Sequence, residues 1–292
     1  MRDTWNTDFQ PKGETLRATD WNAASYDEIS DPQFAWGMAL LETVELQGNE
    51  RVLDAGCGSG RLTQELIRRL PAGEVVALDS SPQMLEQARQ RLCTSKPTSG
   101  SLGTPPTGFA PRVEFVQASL QDFVLDKRVD GIFSNAVFHW VPDHEAMFRC
   151  LHRALVHPST SPGGWLVAQF GGVGNLKRTH RRADQIAEQA RFREHLSQVE
   201  YGPHFEDVAS TRHRMEAAGF RVSHAALHTV EAPFEHRERY ETFLRTVVLR
   251  QPIAKLPQEL QGEFLHEVSS RTLEEEGAYM LDYVRLTVRA TS

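Results

Sequence analysis

The chain reads as an α/β protein, a doubly wound, seven-stranded, mostly parallel sheet with a helical cap. Three observations predict it. Short apolar runs such as Val75-Val76-Ala77-Leu78 alternate with stretches of helical periodicity, the pattern of a parallel sheet covered on both faces. The first run, Arg51-Val52-Leu53, passes into a glycine-dense turn, Asp54-Ala55-Gly56-Cys57-Gly58-Ser59-Gly60, with a helix behind it. The second run ends on an acid, Asp79. A glycine turn at the carboxyl end of a parallel strand is where such a sheet admits a nucleotide-like ligand.

Residues 1–20 are polar and are expected to be mobile, leaving 21–292 as the folded domain. Phe34, Trp36, Met38, Leu40, Leu41 and Val44 mark an amphipathic helix leading into strand one. After Gly60, Leu62, Leu66, Ile67 and Leu70 form a helix face, and Pro71-Ala72-Gly73 stops it. Strand two runs from Glu74 to Asp79. Pro82 then sits in the first turn of a helix that buries Met84, Leu85, Ala88 and Leu92. Residues 94–111, rich in Pro, Gly, Ser and Thr, read as a surface loop.

Strands three and four are expected over 113–118 and 129–134. Asp143 caps a helix whose buried side holds Met147, Phe148, Leu151 and Leu155. A turn over 157–164 precedes strand five, 165–170. Gly219 stops a later helix, and strand six runs from Arg221 to about Val230. Helical stretches over about 236–250 and 257–275 precede an alternating last strand, 280–290. The helical segments at about 174–215 and 235–276 are expected to cap the substrate.

Composition narrows the function. The hydrophobic share of 40% and charged share of 24% are ordinary for a globular chain. A net charge of −7 argues against a nucleic-acid partner, because phosphate backbones reward clustered Lys and Arg. No apolar run approaches a membrane span, and the amino terminus shows no secretory h-region. Cys57, Cys93 and Cys150 form no metal spacing, and an odd count fits reduced thiols, so the expectation is a cytoplasmic protein. His224 and His228 have helical ligand spacing but fall in a predicted strand, so no metal is expected. The oligomeric state is not legible.

The turn has two competing nucleotide readings. A dinucleotide site wants G-x-G-x-x-G, whereas here Gly56, Gly58 and Gly60 alternate and Arg61 follows. A phosphate loop needs G-x-x-x-x-G-K-[ST], which the chain lacks. Asp54, before the first glycine, suits a cationic group and repels a pyrophosphate. The plain alternative is an ordinary tight strand–helix turn. Asp79, 19 residues after Gly60, can accept two hydrogen bonds from a ribose diol, or cap the next helix, or both.

The runs V-L-D-A-G-C-G-S-G-R-L-T, V-V-A-L-D-S-S-P-Q-M-L-E-Q-A-R, F-V-Q-A-S and D-G-I-F-S-N-A-V-F-H-W-V-P-D-H resemble class I S-adenosylmethionine-dependent methyltransferases. With Trp21-Asn22-Ala23-Ala24-Ser25-Tyr26 upstream, the chain is most similar to the trans-aconitate methyltransferase group, well over Trp21–Phe170 and loosely beyond. The resemblance implies a Rossmann-like sheet with an antiparallel last strand. It also implies S-adenosylmethionine as cosubstrate, S-adenosylhomocysteine as product, and a small-molecule acceptor.

On that resemblance Asp54, Gly56, Gly58 and Gly60 hold the amino-acid end of the cofactor, Asp79 holds the ribose, and Cys57, Ser80 and Met84 are further candidate cofactor contacts. Ser119 and Leu120 face the adenine, although Ser119 stands where an Asp is usual. Asn135 lies near the methionine end, and Trp21 and Tyr26 close over it, unless they simply pack in the core.

A carboxylate acceptor is already ionised and needs no general base, whereas a hydroxyl or carbon acceptor does. His139, after strand four, is the candidate base, or else a structural or orienting group. Trp140, Arg178 and Arg181 are candidate substrate contacts, the arginines because their forks match carboxylates; a solvated helix face is the plain alternative. The expected activity is methyl transfer to a small molecule, preferably at a carboxylate oxygen. Carbon or nitrogen methylation, and a non-catalytic cofactor-binding module, are the alternatives.

Overall fold

A computed structural model of the chain describes residues 31–94, 112–156, 163–196 and 201–292. The expected mobile amino terminus, the loop over 95–111, most of the turn over 157–164, and Trp21 and Tyr26 lie outside them. The elements are α1 (Asp31–Leu41), β1 (Arg51–Ala55), α2 (Arg61–Arg69), β2 (Glu74–Asp79), α3 (Pro82–Thr94), β3 (Arg112–Gln117) and β4 (Gly131–Asn135). A 3-10 turn (Phe138–Trp140) leads to α4 (His144–Ala154), β5 (Trp165–Gly171), α5 (Lys177–Ala187), α6 (Ala190–Arg193) and α7 (Val208–Ala217). Then come β6 (Arg221–Phe234), α8 (Arg237–Phe243), a π turn (Leu244–Val248), α9 (Arg250–Lys255), α10 (Gln258–Glu276) and β7 (Tyr279–Thr291).

One seven-stranded sheet has the order β3-β2-β1-β4-β5-β7-β6. The first five strands pair in parallel, and β7 runs antiparallel to both β5 and β6. Strand order reverses between β1 and β4, so a crevice opens there at the strands' carboxyl ends. The sheet is apolar on both faces because helices cover both. Leu53, Ile132, Leu166 and Val288 face α4 and Met215 of α7. Val52, Phe133 and Val167 pack with Leu40, Leu41 and Leu66 from α1 and α2.

Local signals act as expected at the element ends. Asp143 Oδ1 accepts the Ala146 N–H at 2.9 Å, capping α4. Ser81 Oγ accepts from Met84 N at 3.3 Å, in front of Pro82. Gly60 sits at the start of α2 with φ of +82°, and a Cβ there would lie 3.0 Å from that of Ala88. It therefore brings α2 close to α3.

A second apolar cluster makes the cap. It joins α5, α6, α8, α9 and α10 to Ala232, Leu281 and Tyr283. Those last three belong to the far ends of β6 and β7, which extend past the shorter parallel strands. The long hairpin thus carries the inserted helices over the carboxyl edge of the sheet. Arg182 of α5, buried, pairs with Glu275 and Glu276 of α10. Arg191 of α6 pairs with Glu263 and Glu267. One segment expected in the cap sits elsewhere: α7 packs on α4 and β6, with Met215 in the sheet's own core.

Candidate functional site

The carboxyl ends of β1, β2 and β4 open into a cavity of about 170 Å³ at the strand-order reversal. Asp54, Gly56, Cys57, Gly58, Asp79, Ser80, Met84, Asn135 and Trp140 all line it, as the sequence predicts. Gly58 has φ of +54°, and a Cβ there would meet nothing within 4 Å, so its main chain borders open space. Gly56 is required for another reason: a Cβ would lie 2.3 Å from a methyl of Val137.

The two acids are held by the loop that they flank. Asp54, 3% exposed, accepts from Thr63 Oγ1 at 2.6 Å. Asp79 Oδ2 accepts the Gly58 N–H at 2.9 Å, and its Oδ1 accepts that of Ser81 at 2.8 Å. Asp79 therefore ties the glycine loop to β2 and still lines the cavity. Burial pushes the Asp54 carboxyl up to about 7, against the Thr63 hydrogen bond and with the Asp79 charge adding to it. Burial also raises Asp79, opposed by its main-chain donors. Two buried carboxyls displaced upward together form a donor set for a cation. With the bare glycine wall, they fit a ligand that carries an ammonium and a sulfonium.

Three predicted cofactor residues lie elsewhere. Gly60 serves the packing of α2 on α3 and does not reach the cavity. Ser119 Oγ turns to accept the Gln121 N–H at 3.2 Å, a local turn that competes successfully for the hydroxyl. Leu120 is buried in the core beneath the sheet. The candidate arginines also miss the site. Arg178 pairs with Glu231 and Glu276, and Arg181 with Glu275, on the outer side of the cap. Their acidic partners come from β6 and α10, which the local charge run does not reveal.

Beside the first cavity, under the cap, lies a smaller chamber of about 40 Å³. Gln33, Ala136 and Trp140 line both. His139 faces this chamber and not the first. Its Nδ1 accepts the Gly171 N–H at 3.2 Å, so the neutral ring carries its proton on Nε2. Burial holds His139 well below the usual histidine range, and Arg285 and His144 push it the same way. The ring is thus a neutral hydrogen-bond donor, where the sequence offered a general base.

The chamber also holds residues that sequence reasoning missed. Arg285 lies opposite Gly171 in the β5–β7 register, which sets it level with the carboxyl edge. It is 2% exposed, with Nε 3.4 Å from Gln169 Oε1 and Nη2 3.5 Å from Asn135 Oδ1. Its guanidinium sits over the Trp36 ring at 5.0 Å. Gln33 Nε2 donates to Tyr283 Oη at 3.1 Å, and Asn135 Nδ2 to the Gln33 carbonyl at 2.9 Å. Among the described residues, the two non-glycine positions with positive φ, Ala136 (+62°) and Leu176 (+57°), both line the chamber. Such backbone strain persists where the surroundings enforce it, commonly at functional sites. A charged residue in a strand paired on both sides was the one sequence signal available for Arg285.

Comparison with known proteins agrees with this architecture. Residues 52–158 match the methyltransferase domain family. A trans-aconitate 2-methyltransferase of Methylobacterium nodulans is 30% identical, covering 91% of this chain and 96% of its own length. Another, from Variovorax paradoxus, is 28% identical over 86% of this chain and 88% of its own. The crystal structure of a mycolic acid cyclopropane synthase complexed with SAH superposes with a TM-score of 0.53 at 17% identity, covering 89% of this chain and 84% of that one. Sheet order, glycine loop, paired acids and full-length similarity converge: the chain belongs to the class I S-adenosylmethionine-dependent methyltransferases.

Proposed function

We propose that the enzyme methylates a carboxylate oxygen of a small organic acid, with the acceptor in the chamber under the cap. One observation carries this reading: the Gly171 N–H to His139 Nδ1 hydrogen bond makes His139 a donor. An acceptor here gets no help from that imidazole in losing a proton, and a carboxylate is already ionised at neutral pH. The name of the Methylobacterium relative, trans-aconitate 2-methyltransferase, puts that enzyme's acceptor among the carboxylates.

The bound cosubstrate supplies an electrophilic methyl group on a positively charged sulfur. Asp54 and Asp79 would hold its cationic and hydroxyl-bearing portions beside the bare wall of Gly56 and Gly58. Gln33, Ala136 and Trp140 line both cavity and chamber, where donor and acceptor would meet. The carboxylate oxygen bonds to the methyl carbon as the carbon–sulfur bond breaks, and opposite charges neutralise without a proton changing hands. A dry pocket favours such charge neutralisation, and alignment supplies most of the rate.

The test is incubation with tritiated methyl donor and a mixture of small organic acids. The expected product is a base-labile labelled ester. Label stable to base would favour carbon or nitrogen methylation and overturn the carboxylate reading.

A further inference from the structure

Two buried polar atoms of side chains that line the smaller chamber, Gln33 Oε1 and His180 Nε2, have no hydrogen-bond partner among the described residues. Leaving such atoms unpaired is costly, and native interiors rarely do it. Gln33 is 7% exposed and is held at two points. Its main-chain carbonyl accepts from Asn135 Nδ2 at 2.9 Å, and its side-chain Nε2 donates to Tyr283 Oη at 3.1 Å. Tyr283 lines the chamber and not the first cavity, so the amide is turned to the chamber side. The His180 ring is fixed as well, stacked on Tyr201 at 3.8 Å between centroids. A third polar group, the His139 Nε2–H, belongs to the same walls.

We infer that Gln33 determines specificity, its Oε1 accepting a hydrogen bond from a hydroxyl of the acceptor, and that the acceptor is a small hydroxy acid. This rests on the carboxylate reading proposed above. A hydroxyl donates to one atom and accepts from another at once, so a single group serves both Gln33 Oε1 and the His139 Nε2–H. A carboxylate in that position only accepts, and would set its oxygens against Gln33 Oε1. An ammonium only donates, and would leave the His139 proton unpaired. At about 40 Å³ the chamber holds roughly three water-sized groups, so it takes the hydroxyl-bearing end of a small acid and not a whole molecule. Gln33, Ala136 and Trp140 line both spaces, which lets the carboxylate of the same molecule lie toward the cofactor cavity.

The hydroxyl is recognised in this arrangement and is not the group methylated. Burial lowers the His180 pKa to about 4, so that ring is too weak a base to take the hydroxyl proton. The carboxylate oxygen bonds to the methyl carbon, the carbon–sulfur bond breaks, and the hydroxyl keeps its proton throughout. A site built to hydrogen-bond a hydroxyl rejects the analogue that lacks it, because its own buried polar atoms are then left unpaired.

The experiment measures ester formation by the full-length protein with acids that differ by one hydroxyl: lactate and propionate, 3-hydroxybutyrate and butyrate, malate and succinate, with trans-aconitate alongside. In at least one pair the hydroxy acid should have a kcat/KM at least about tenfold above its partner. Gln33→Leu keeps most of the side-chain bulk and loses the amide, and should lower that ratio by at least about threefold. A cooperative thermal melt, read by circular dichroism, reports that the variant is folded. A smaller fall in the folded variant overturns the assignment of Gln33. A ratio below about tenfold in every pair, or trans-aconitate preferred to every hydroxy acid, overturns the hydroxyl selection, and this arm needs no variant to fold. Base-stable label, or ester from none of the acids, overturns the carboxylate reading beneath both.

Discussion

Asp54 gives the sharpest test of how the cofactor cavity is built. Its carboxyl is buried and displaced from an ordinary 3.8 to about 7. Between those pH values the folded protein without ligand holds this proton more tightly than the unfolded chain does. Stability is therefore full below about pH 4, falls as pH rises, and levels off above about 7. The interval, at about 1.4 kcal/mol per pH unit, amounts to roughly 4 kcal/mol.

A cation beside Asp54 reverses the preference. Binding should need the ionised carboxylate, so the Kd for S-adenosylhomocysteine should rise about tenfold for each pH unit below 7 and stay flat above it. Asp54→Asn keeps shape and loses charge. At pH 8 the variant without ligand should melt higher than the unaltered protein, yet bind the ligand at least about tenfold more weakly and without the pH slope. Calorimetry between pH 5 and pH 8, in buffers of different ionisation enthalpy, measures both affinity and proton release. A pH-independent Kd, or an Asp54→Asn protein less stable than its parent at pH 8, would refute the reasoning.

Four other outcomes are expected. His139→Ala should reduce kcat for a carboxylate acceptor by no more than about tenfold, because it removes a donor and not a base; a loss beyond about a thousandfold would restore the base role. The unaltered enzyme should show no loss of kcat between pH 6 and pH 8 from this ring, since burial keeps it neutral throughout. Ser119→Ala should leave S-adenosylhomocysteine affinity within about twofold, as its hydroxyl serves Gln121 N; a tenfold loss, read by calorimetry, would return Ser119 to the cofactor site. Gly60→Ala should destabilise the fold by about 1–2 kcal/mol in denaturant unfolding, because its φ is +82° and Ala88 of α3 lies against it; an unchanged midpoint would refute the packing role.

The fold was legible because its signals are local. Strand two is Glu74–Asp79 in both readings, since a short apolar run, two of its residues β-branched, lies between Gly73 and Ser80. The glycine loop and its flanking acids were legible for the same reason. One short segment must make a tight turn, expose main chain and present charge, so all its requirements fall on adjacent residues. Where a side chain had a local competitor, the sequence misled. Ser119 is spent on a turn, and Gly60 on a helix contact brought about by Ala88, 28 positions away.

The smaller chamber belongs to the tertiary structure alone. His139 follows from its position after strand four, but its tautomer depends on Gly171 in a different strand. Arg178 and Arg181, which looked available, are taken by acids of β6 and α10. Arg285, unremarkable in an alternating strand, reaches the chamber because antiparallel pairing sets it opposite Gly171. Patterns of neighbouring residues determined the sheet and the cofactor loop, because backbone geometry is decided within a few positions. Register between distant strands decided which charges meet and which are neutralised, because electrostatic partners are chosen by distance in space.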